Sequence, residues 1–186
     1  MEAYLHRQIH DLLTKARAPV FVSDERIDGD SLGSALAMAD FMASLGKTVP
    51  VYVVTTVPEQ YRRLPRAHQC TTSLHMFDHP EIDLVVVFDC SDAEFVRGLV
   101  ERIPGNPTVV NIDHHTTNSR YGQVNQVVED EPATAAIVLA AGNVADFDGF
   151  IGLATVVLAA ISISMGRNMR RGARDSEAKI AIMEKS

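Results

Sequence analysis

The sequence has little cysteine and no excess of positive charge, and both shortages restrict what the protein can be. Its two cysteines, Cys70 and Cys90, have neither the density of a secreted disulfide scaffold nor the spacing of a zinc site. The formal net charge of −7 argues against a broad surface that follows the phosphates of duplex DNA. We therefore expect a cytoplasmic protein that does not read duplex DNA. A nucleotide ligand stays open, because a bound metal ion supplies its own positive charge.

A long apolar run and a signal peptide are also missing. Residues 150–165 are uncharged and apolar, but this stretch is shorter than the roughly 18 residues that a membrane-spanning helix needs. It therefore predicts a buried core helix and no membrane association. Residues 1–6 do not place a basic region before an apolar one, so we expect no signal peptide.

The apolar residues that are present follow two periods, one typical of strands and one of helices. The predicted strands cover residues 19–23, 49–54, 84–88 and 107–112, with a further extended segment at 121–128. The predicted helices cover residues 3–16, 31–45, 58–65, 92–102 and 133–141. This alternation predicts a Rossmann-like open α/β fold, with a mainly parallel sheet and helices on both faces. No Gly-x-Gly-x-x-Gly follows the first strand, which disfavours a plain dinucleotide-binding domain.

Three histidines lie in the polar stretch of residues 66–80. His68, His75 and His79 have no spacing that is usual for metal ligands. We therefore expect them to be exposed residues of a loop or short strand.

Polar side chains follow three of the predicted strands. Asp28 and Asp30 come after the first, Asp89 after the third, and Asp113-His114-His115 after the fourth. The carboxyl ends of parallel strands meet at one edge of the sheet, where ligands bind. Carboxylates gathered there would raise each other's pKa unless a cation balanced them, and carboxylate with imidazole suits Mn²⁺, or Mg²⁺ where carboxylates dominate. The helix that we expect to start at Ser31 would also direct its positive end at a bound phosphate.

These segments together resemble the DHH phosphoesterase superfamily. The similar motifs are Asp28-Gly29-Asp30-Ser31-Leu32-Gly33-Ser34, Val87-Phe88-Asp89-Cys90-Ser91-Asp92 and Asn111-Ile112-Asp113-His114-His115, and the similarity extends from about Pro19 to Leu139. The superfamily includes single-strand-specific exonucleases, nano-RNases, cyclic-dinucleotide phosphodiesterases and family II pyrophosphatases. The first motif is most similar to the nano-RNase and cyclic-dinucleotide branch.

The resemblance implies a site with two Mn²⁺ ions and a metal-activated hydroxide as the attacking group. Its metal ligands would be Asp28, Asp30, Asp89 and His114, with Asp89 bridging the two ions. Asp113 would orient His114 through a hydrogen bond, and His115 would contact the substrate phosphate. Asp89 and His115 are thus the expected catalytic residues, and Ser31 is a further expected substrate contact.

Two ligand positions differ from the family pattern. Asp24 stands where the family has a histidine, and we expect it to serve as an oxygen ligand. Ser164 stands where the family has its last aspartate, so this position is degenerate. We expect residues 1–166 to form the DHH-type domain and residues 167–186 a charged, weakly helical tail, without the smaller substrate-binding domain that family enzymes carry.

Two functions from different classes stay open. One is a divalent-metal-dependent phosphodiesterase that hydrolyses short single-stranded oligonucleotides or a cyclic dinucleotide. The other is a non-catalytic DHH domain that binds a nucleotide, a metal or a protein partner. The retained aspartates and histidines favour the enzyme, whereas Asp24 and Ser164 favour the binding protein. Self-association into a homo-oligomer also stays open.

Overall fold

The computed structural model describes residues 2–144, which contain four α-helices, three short 3₁₀ helices and six strands. The helices are α1 (Glu2–Lys15), α2 (Gly29–Ser44), α3 (Ala93–Val100) and α4 (Thr134–Val144). The strands are β1 (Pro19–Ser23), β2 (Val51–Tyr52), β3 (Cys70–Thr71), β4 (Leu84–Phe88), β5 (Thr108–Asp113) and β6 (Val124–Val127). The predicted core helix at 150–165, the tail at 167–186 and Ser164 lie outside the described residues.

All six strands belong to one sheet in the order β3-β2-β1-β4-β5-β6, and every neighbouring pair is parallel. Along the chain, the first three strands follow one another from β1 to β3 on one side of the sheet. The next three follow one another from β4 to β6 on the other side. The strand order therefore reverses between β1 and β4, which is where an open α/β sheet leaves a crevice at the carboxyl ends of its strands. The predicted α/β fold is confirmed.

Helices cover both faces of the sheet, and alternate strand residues supply the two cores. Phe21 of β1 and Val86 of β4 are buried in a cluster with residues of α1, α2 and α4. Their neighbours Val22 and Val87 are buried in a second cluster with Val96 of α3. Both central strands are buried along their whole length, as expected for parallel strands that are covered on both sides.

The region between β2 and β4 contains only short elements. Three 3₁₀ helices cover Glu59–Tyr61, Ala67–Gln69 and Leu74–Phe77, so the predicted helix at 58–65 is a single turn. His68, His75 and His79 are all exposed, as expected. No helix within residues 2–144 has both the length and the apolar character that crossing a membrane requires.

Candidate metal centre

The polar residues that follow β1, β4 and β5 meet at one edge of the sheet. Asp89 comes directly after β4, and its backbone N–H donates to the Ile112 carbonyl of β5 at 2.9 Å. Its φ of 61° lies in the left-handed region that few non-glycine residues adopt. Residues held in this region are often found at functional sites. The turn leaves the Asp89 side chain 6% exposed, beneath the crevice between β1 and β4.

The Asp28-Gly29-Asp30 segment begins α2 rather than forming a turn before it. Asp28 is the N-cap, and its Oδ1 accepts the N–H groups of Asp30 and Ser31, each at 2.9 Å. The Ser31 hydroxyl accepts the Asp28 N–H in return, at 3.2 Å, which completes a capping box. The expectation that α2 starts at Ser31 is therefore wrong by two residues, because capping by Asp28 outweighs the low helix propensity of Gly29.

Ser31, the expected substrate contact, has a structural role at the start of α2. Its side chain is completely buried, and its hydroxyl is used inside the capping box. The hydroxyl only accepts in that hydrogen bond and keeps its own proton to donate, so contact with a substrate stays a prediction. Ser31 therefore stabilises the start of α2.

Asp30 and Asp89 both contact the first turn of α4. The two Asp30 oxygens accept the N–H groups of Thr134 at 2.9 Å and Ala135 at 2.8 Å. The Thr134 hydroxyl donates to Asp89 Oδ1 at 2.8 Å. The start of α4 thus connects carboxylates from two separate segments of the chain.

His114 directs one ring nitrogen at these carboxylates. Its Nε2 lies 3.6 Å from Asp30 Oδ2 and 3.5 Å from Asp89 Oδ1. Its Nδ1 lies 3.1 Å from the Glu131 carbonyl oxygen, which can only accept, so Nδ1 is the donor there and a neutral ring presents the lone pair of Nε2 to the carboxylates. Donor atoms about 2.1 Å from a shared ion lie about 3.0–3.5 Å apart, so these spacings are close to those of a metal site.

Asp113 orients His115 rather than His114. Its Oδ1 lies 2.7 Å from His115 Nδ1 and accepts the backbone N–H groups of both histidines. The expected hydrogen bond from Asp113 to the ring of His114 is absent, because the Glu131 carbonyl occupies that position. Asp113 is fully buried while the His115 side chain is 46% exposed, so Asp113 fixes a ring that faces solvent.

A partly buried hydrogen-bond network holds Asp113 in place, and the sequence pattern did not predict it. The Asn118 amide donates to Asp113 Oδ2 and, at 2.7 Å, to Asn111 Oδ1. The Asn111 amide lies 2.8 Å from the Tyr121 hydroxyl, which donates to the Cys90 carbonyl at 2.9 Å. The one available signal was Asn111, a polar residue inside an otherwise apolar strand.

Burial and like charge raise the pKa of the central carboxyls. Desolvation, followed by the neighbouring Asp30, raises the pKa of Asp89 to about 9, against the opposing hydrogen bond from Thr134. Desolvation also raises the pKa of Asp30, against the hydrogen bonds from Ala135 and Thr134. A divalent cation would remove this cost, and carboxylate oxygens with an imidazole nitrogen are suitable donors for Mn²⁺ or Mg²⁺. The residues present therefore fit the metal that the resemblance implies.

A family model decides which family this site belongs to. The model described as "DHH family, N-terminal domain" matches residues 20–161, which cover β1 to α4 and every strand end described above. The chain belongs to the DHH family.

Individual proteins agree with the DHH assignment. The bifunctional oligoribonuclease and PAP phosphatase NrnA of Thermus thermophilus is 28% identical over 161 residues, which are 86% of this chain and 47% of that protein. An exopolyphosphatase-related protein from Bacteroides fragilis has a TM-score of 0.75 at 19% identity, over 88% of this chain and 50% of the other. Exonuclease RecJ bound to manganese has a TM-score of 0.53 at 15% identity, over 86% and 42%. The chain spans about half the length of the curated relative it matches.

Asp24, the residue that replaces the DHH histidine, lies apart from the closest donor group. Among the described residues, one donor atom each from Asp89, His114 and His115 lies within 4.8 Å of the others, and Asp24, Asp28 and Asp30 are not members of this group. Asp24 Oδ2 instead accepts the Arg26 N–H at 3.2 Å. Its carboxylate also faces the Cys90 thiol, whose pKa is raised chiefly by burial and further by Asp24. A ligand role for Asp24 stays a prediction.

Proposed function

We propose that this chain is the metal-binding DHH domain of a divalent-metal-dependent phosphodiesterase. The observation that carries the proposal is the position of His114 Nε2, which faces Asp30 and Asp89 at 3.6 and 3.5 Å. Its other ring nitrogen lies within hydrogen-bond distance of a backbone carbonyl. Metal-binding histidines usually have such a partner for the second ring nitrogen. We propose that this domain extends over residues 1–166, with the charged residues 167–186 after it.

The chain would hold the cation through Asp30, Asp89 and His114, with Asp28 and Asp24 at the rim. A bound divalent cation supplies Lewis acidity and lowers the pKa of a water molecule. Asp89 contributes a buried carboxylate whose orientation is set by Thr134. His115 is half-exposed and positioned by Asp113, and we assign it to the substrate phosphate.

We propose short single-stranded oligonucleotides or a cyclic dinucleotide as the substrate class. The support is the 28% identity to a protein described as an oligoribonuclease and PAP phosphatase. The net charge of −7 opposes a long phosphate-following groove, which is consistent with a short substrate. Mn²⁺ is the proposed metal and Mg²⁺ the alternative, because both accept carboxylate-rich sites.

The test is hydrolysis of a short oligoribonucleotide and of a cyclic dinucleotide by the metal-stripped chain after addition of Mn²⁺ or Mg²⁺. We expect Mn²⁺-dependent product formation that a chelator abolishes. The matched control is Asp92→Asn, because Asp92 is an aspartate near the same strand end that caps α3 through the Phe95 N–H. Asp89→Asn should be inactive and Asp92→Asn active; equal activity in both would contradict the proposed site.

One observation favours the second candidate, a non-catalytic binding domain. Asp24 accepts a hydrogen bond from the Arg26 backbone and has the Arg26 guanidinium 4.0 Å away, so the residue that replaces the family histidine already has partners. Mn²⁺ binding without turnover of either substrate would support this function. Substitution Asp24→His distinguishes the two, because gain of activity would show that only this ligand is missing.

A further inference from the structure

Thr134 donates hydrogen bonds to both central carboxylates, Asp30 and Asp89. It is the first residue of α4 and is completely buried. Its backbone N–H donates to Asp30 Oδ2 at 2.9 Å and its hydroxyl to Asp89 Oδ1 at 2.8 Å. A threonine that served only to cap α4 would direct its hydroxyl at the N–H groups of the first turn. This hydroxyl points at Asp89 instead.

The oxygen of Asp89 that Thr134 contacts is the one nearest the histidines. Asp89 Oδ1 lies 3.5 Å from His114 Nε2 and 3.6 Å from His115 Nδ1. Among residues 2–144, the Thr134 hydroxyl is the one group that donates a hydrogen bond to the Asp89 carboxylate. It therefore selects the rotation of that carboxylate, and so determines which lone pairs of Oδ1 face His114.

The same residue restrains the neighbouring carboxylate through the backbone. Both Asp30 oxygens are held by α4, Oδ2 by Thr134 and Oδ1 by Ala135. Asp30 Oδ2 and Asp89 Oδ1 both lie within 3.6 Å of His114 Nε2, so these two carboxylates of like charge are close to each other. Fixed hydrogen-bond donors from α4 limit the freedom of each carboxylate to turn away from its like-charged neighbour.

We infer that Thr134 is a positioning residue for the metal site, holding Asp89 and Asp30 in the arrangement that a divalent cation requires. This inference rests on the proposed function, because it supposes that these two carboxylates bind metal. Groups that orient metal ligands commonly change metal affinity by about 10–100-fold when they are removed. The hydroxyl and the backbone N–H of Thr134 can be tested separately, because a side-chain substitution leaves the N–H in place.

The experiment compares Thr134→Val, which removes the hydroxyl at nearly constant volume, with Thr134→Ser, which keeps it. Calorimetric titration of Mn²⁺ into the metal-stripped chain measures the Kd, and circular dichroism in the absence of metal measures folding. We expect Thr134→Val to raise the Kd about 10–100-fold, while Thr134→Ser restores the affinity and both variants remain folded. Thr117→Val is the matched control. Its hydroxyl lies at the same sheet edge but donates to Ser91, so its Kd should equal that of the wild type.

The outcomes separate this inference from the proposed function. If the wild type binds Mn²⁺ and Thr134→Val binds it equally well, the positioning role is overturned and the metal site stands. If the wild type binds no Mn²⁺, the proposed function fails and the positioning role fails with it. Thr134→Ala is the second removal variant. If both Thr134→Val and Thr134→Ala fail to fold without metal while Thr134→Ser folds, Thr134 is a structural residue and the inference is overturned.

Discussion

At the scale of single residues, Asp89 combines three features that are costly by themselves. It has a left-handed backbone, it is 6% exposed, and its pKa is raised to about 9 by burial and by Asp30. An aspartate kept under these conditions destabilises the metal-free fold at neutral and higher pH. A bound cation would convert the same carboxylate into a stabilising group.

The pH dependence of stability tests this cost. The pKa of Asp89 is about 9 in the folded chain and about 3.9 in the unfolded chain. Between these values the folded state holds a proton that the unfolded state has released, so rising pH lowers the free energy of unfolding, by at most about 1.4 kcal/mol per pH unit. Asp89→Asn has no titrating carboxyl at this position, so its free energy of unfolding does not fall in this way. We expect its metal-free stability in urea denaturation to exceed that of the wild type increasingly from pH 5 to pH 9, with at least about a 100-fold loss of hydrolysis.

A constant stability difference across that pH range would show that Asp89 does not titrate as described. Saturating Mn²⁺ provides an internal control, because an ionised, metal-bound Asp89 no longer takes up the proton. The wild type should then lose its decline with rising pH, and Asp89→Asn should be unaffected by the metal.

Substitution of the two adjacent histidines should have different effects: on metal affinity for His114 and on kcat/KM for His115. His114 directs Nε2 at Asp30 and Asp89, whereas the Nδ1 of His115 is already taken by Asp113. We expect His114→Ala to raise the Mn²⁺ Kd at least about 10-fold. His115→Ala should keep the wild-type Kd but lower kcat/KM about 100-fold through loss of the phosphate contact. Calorimetry and steady-state kinetics on the two variants decide this; loss of metal binding in His115→Ala would make it a ligand.

At the scale of elements, the first turn of α2 contains Ser31, which has a structural role, next to the candidate site residues Asp28 and Asp30. Ser31 is buried and completes the capping box of Asp28. We expect Ser31→Ala to lower the free energy of unfolding by about 1 kcal/mol and to leave KM unchanged. Urea denaturation and steady-state kinetics check the two parts. A raised KM with an unchanged free energy of unfolding would show that Ser31 contacts the substrate.

The element boundaries also show where reading a sequence succeeds and where it fails. Strongly periodic segments such as α1 and the apolar strands β1, β4 and β5 could be predicted within a residue or two, because burial on two faces imposes a visible pattern. The strand β3, at Cys70–Thr71, is too short to show a period, and only its pairing with β2 defines it. The predicted strand at 49–54 is longer than its paired residues, Val51 and Tyr52. Val49 and Val53 are also buried, so the apolar pattern continues beyond the paired residues.

At the site, the sequence indicated which residues would meet but not how they would be connected. Parallel topology alone places residues after β1, β4 and β5 at one edge, so Asp30, Asp89 and His114 could be predicted together. The hydrogen-bond partner of each histidine ring could not be predicted. Asp113 is adjacent to both histidines in sequence, and only the turn after β5 decides that it bonds to His115 while Glu131 takes His114. Thr134 lies 45 residues from Asp89, so no local pattern connects them.

At the scale of the whole molecule, the parallel sheet joins distant segments into one acidic crevice. Asp30, Asp89 and His114 are brought together by the reversal of strand order between β1 and β4. The start of α4 connects two of them. Because these residues belong to separate segments, the crevice exists only in the folded chain. Metal binding should therefore stabilise the fold by mass action.

The most direct measurement is the stoichiometry of Mn²⁺ binding to the metal-stripped chain by calorimetry, with Asp89→Ala as the comparison. We expect at least one ion per wild-type chain, together with a rise in Tm that depends on Mn²⁺ concentration, and neither effect in Asp89→Ala. Equal binding by the two chains, or no binding by either, would contradict a metal centre at this sheet edge.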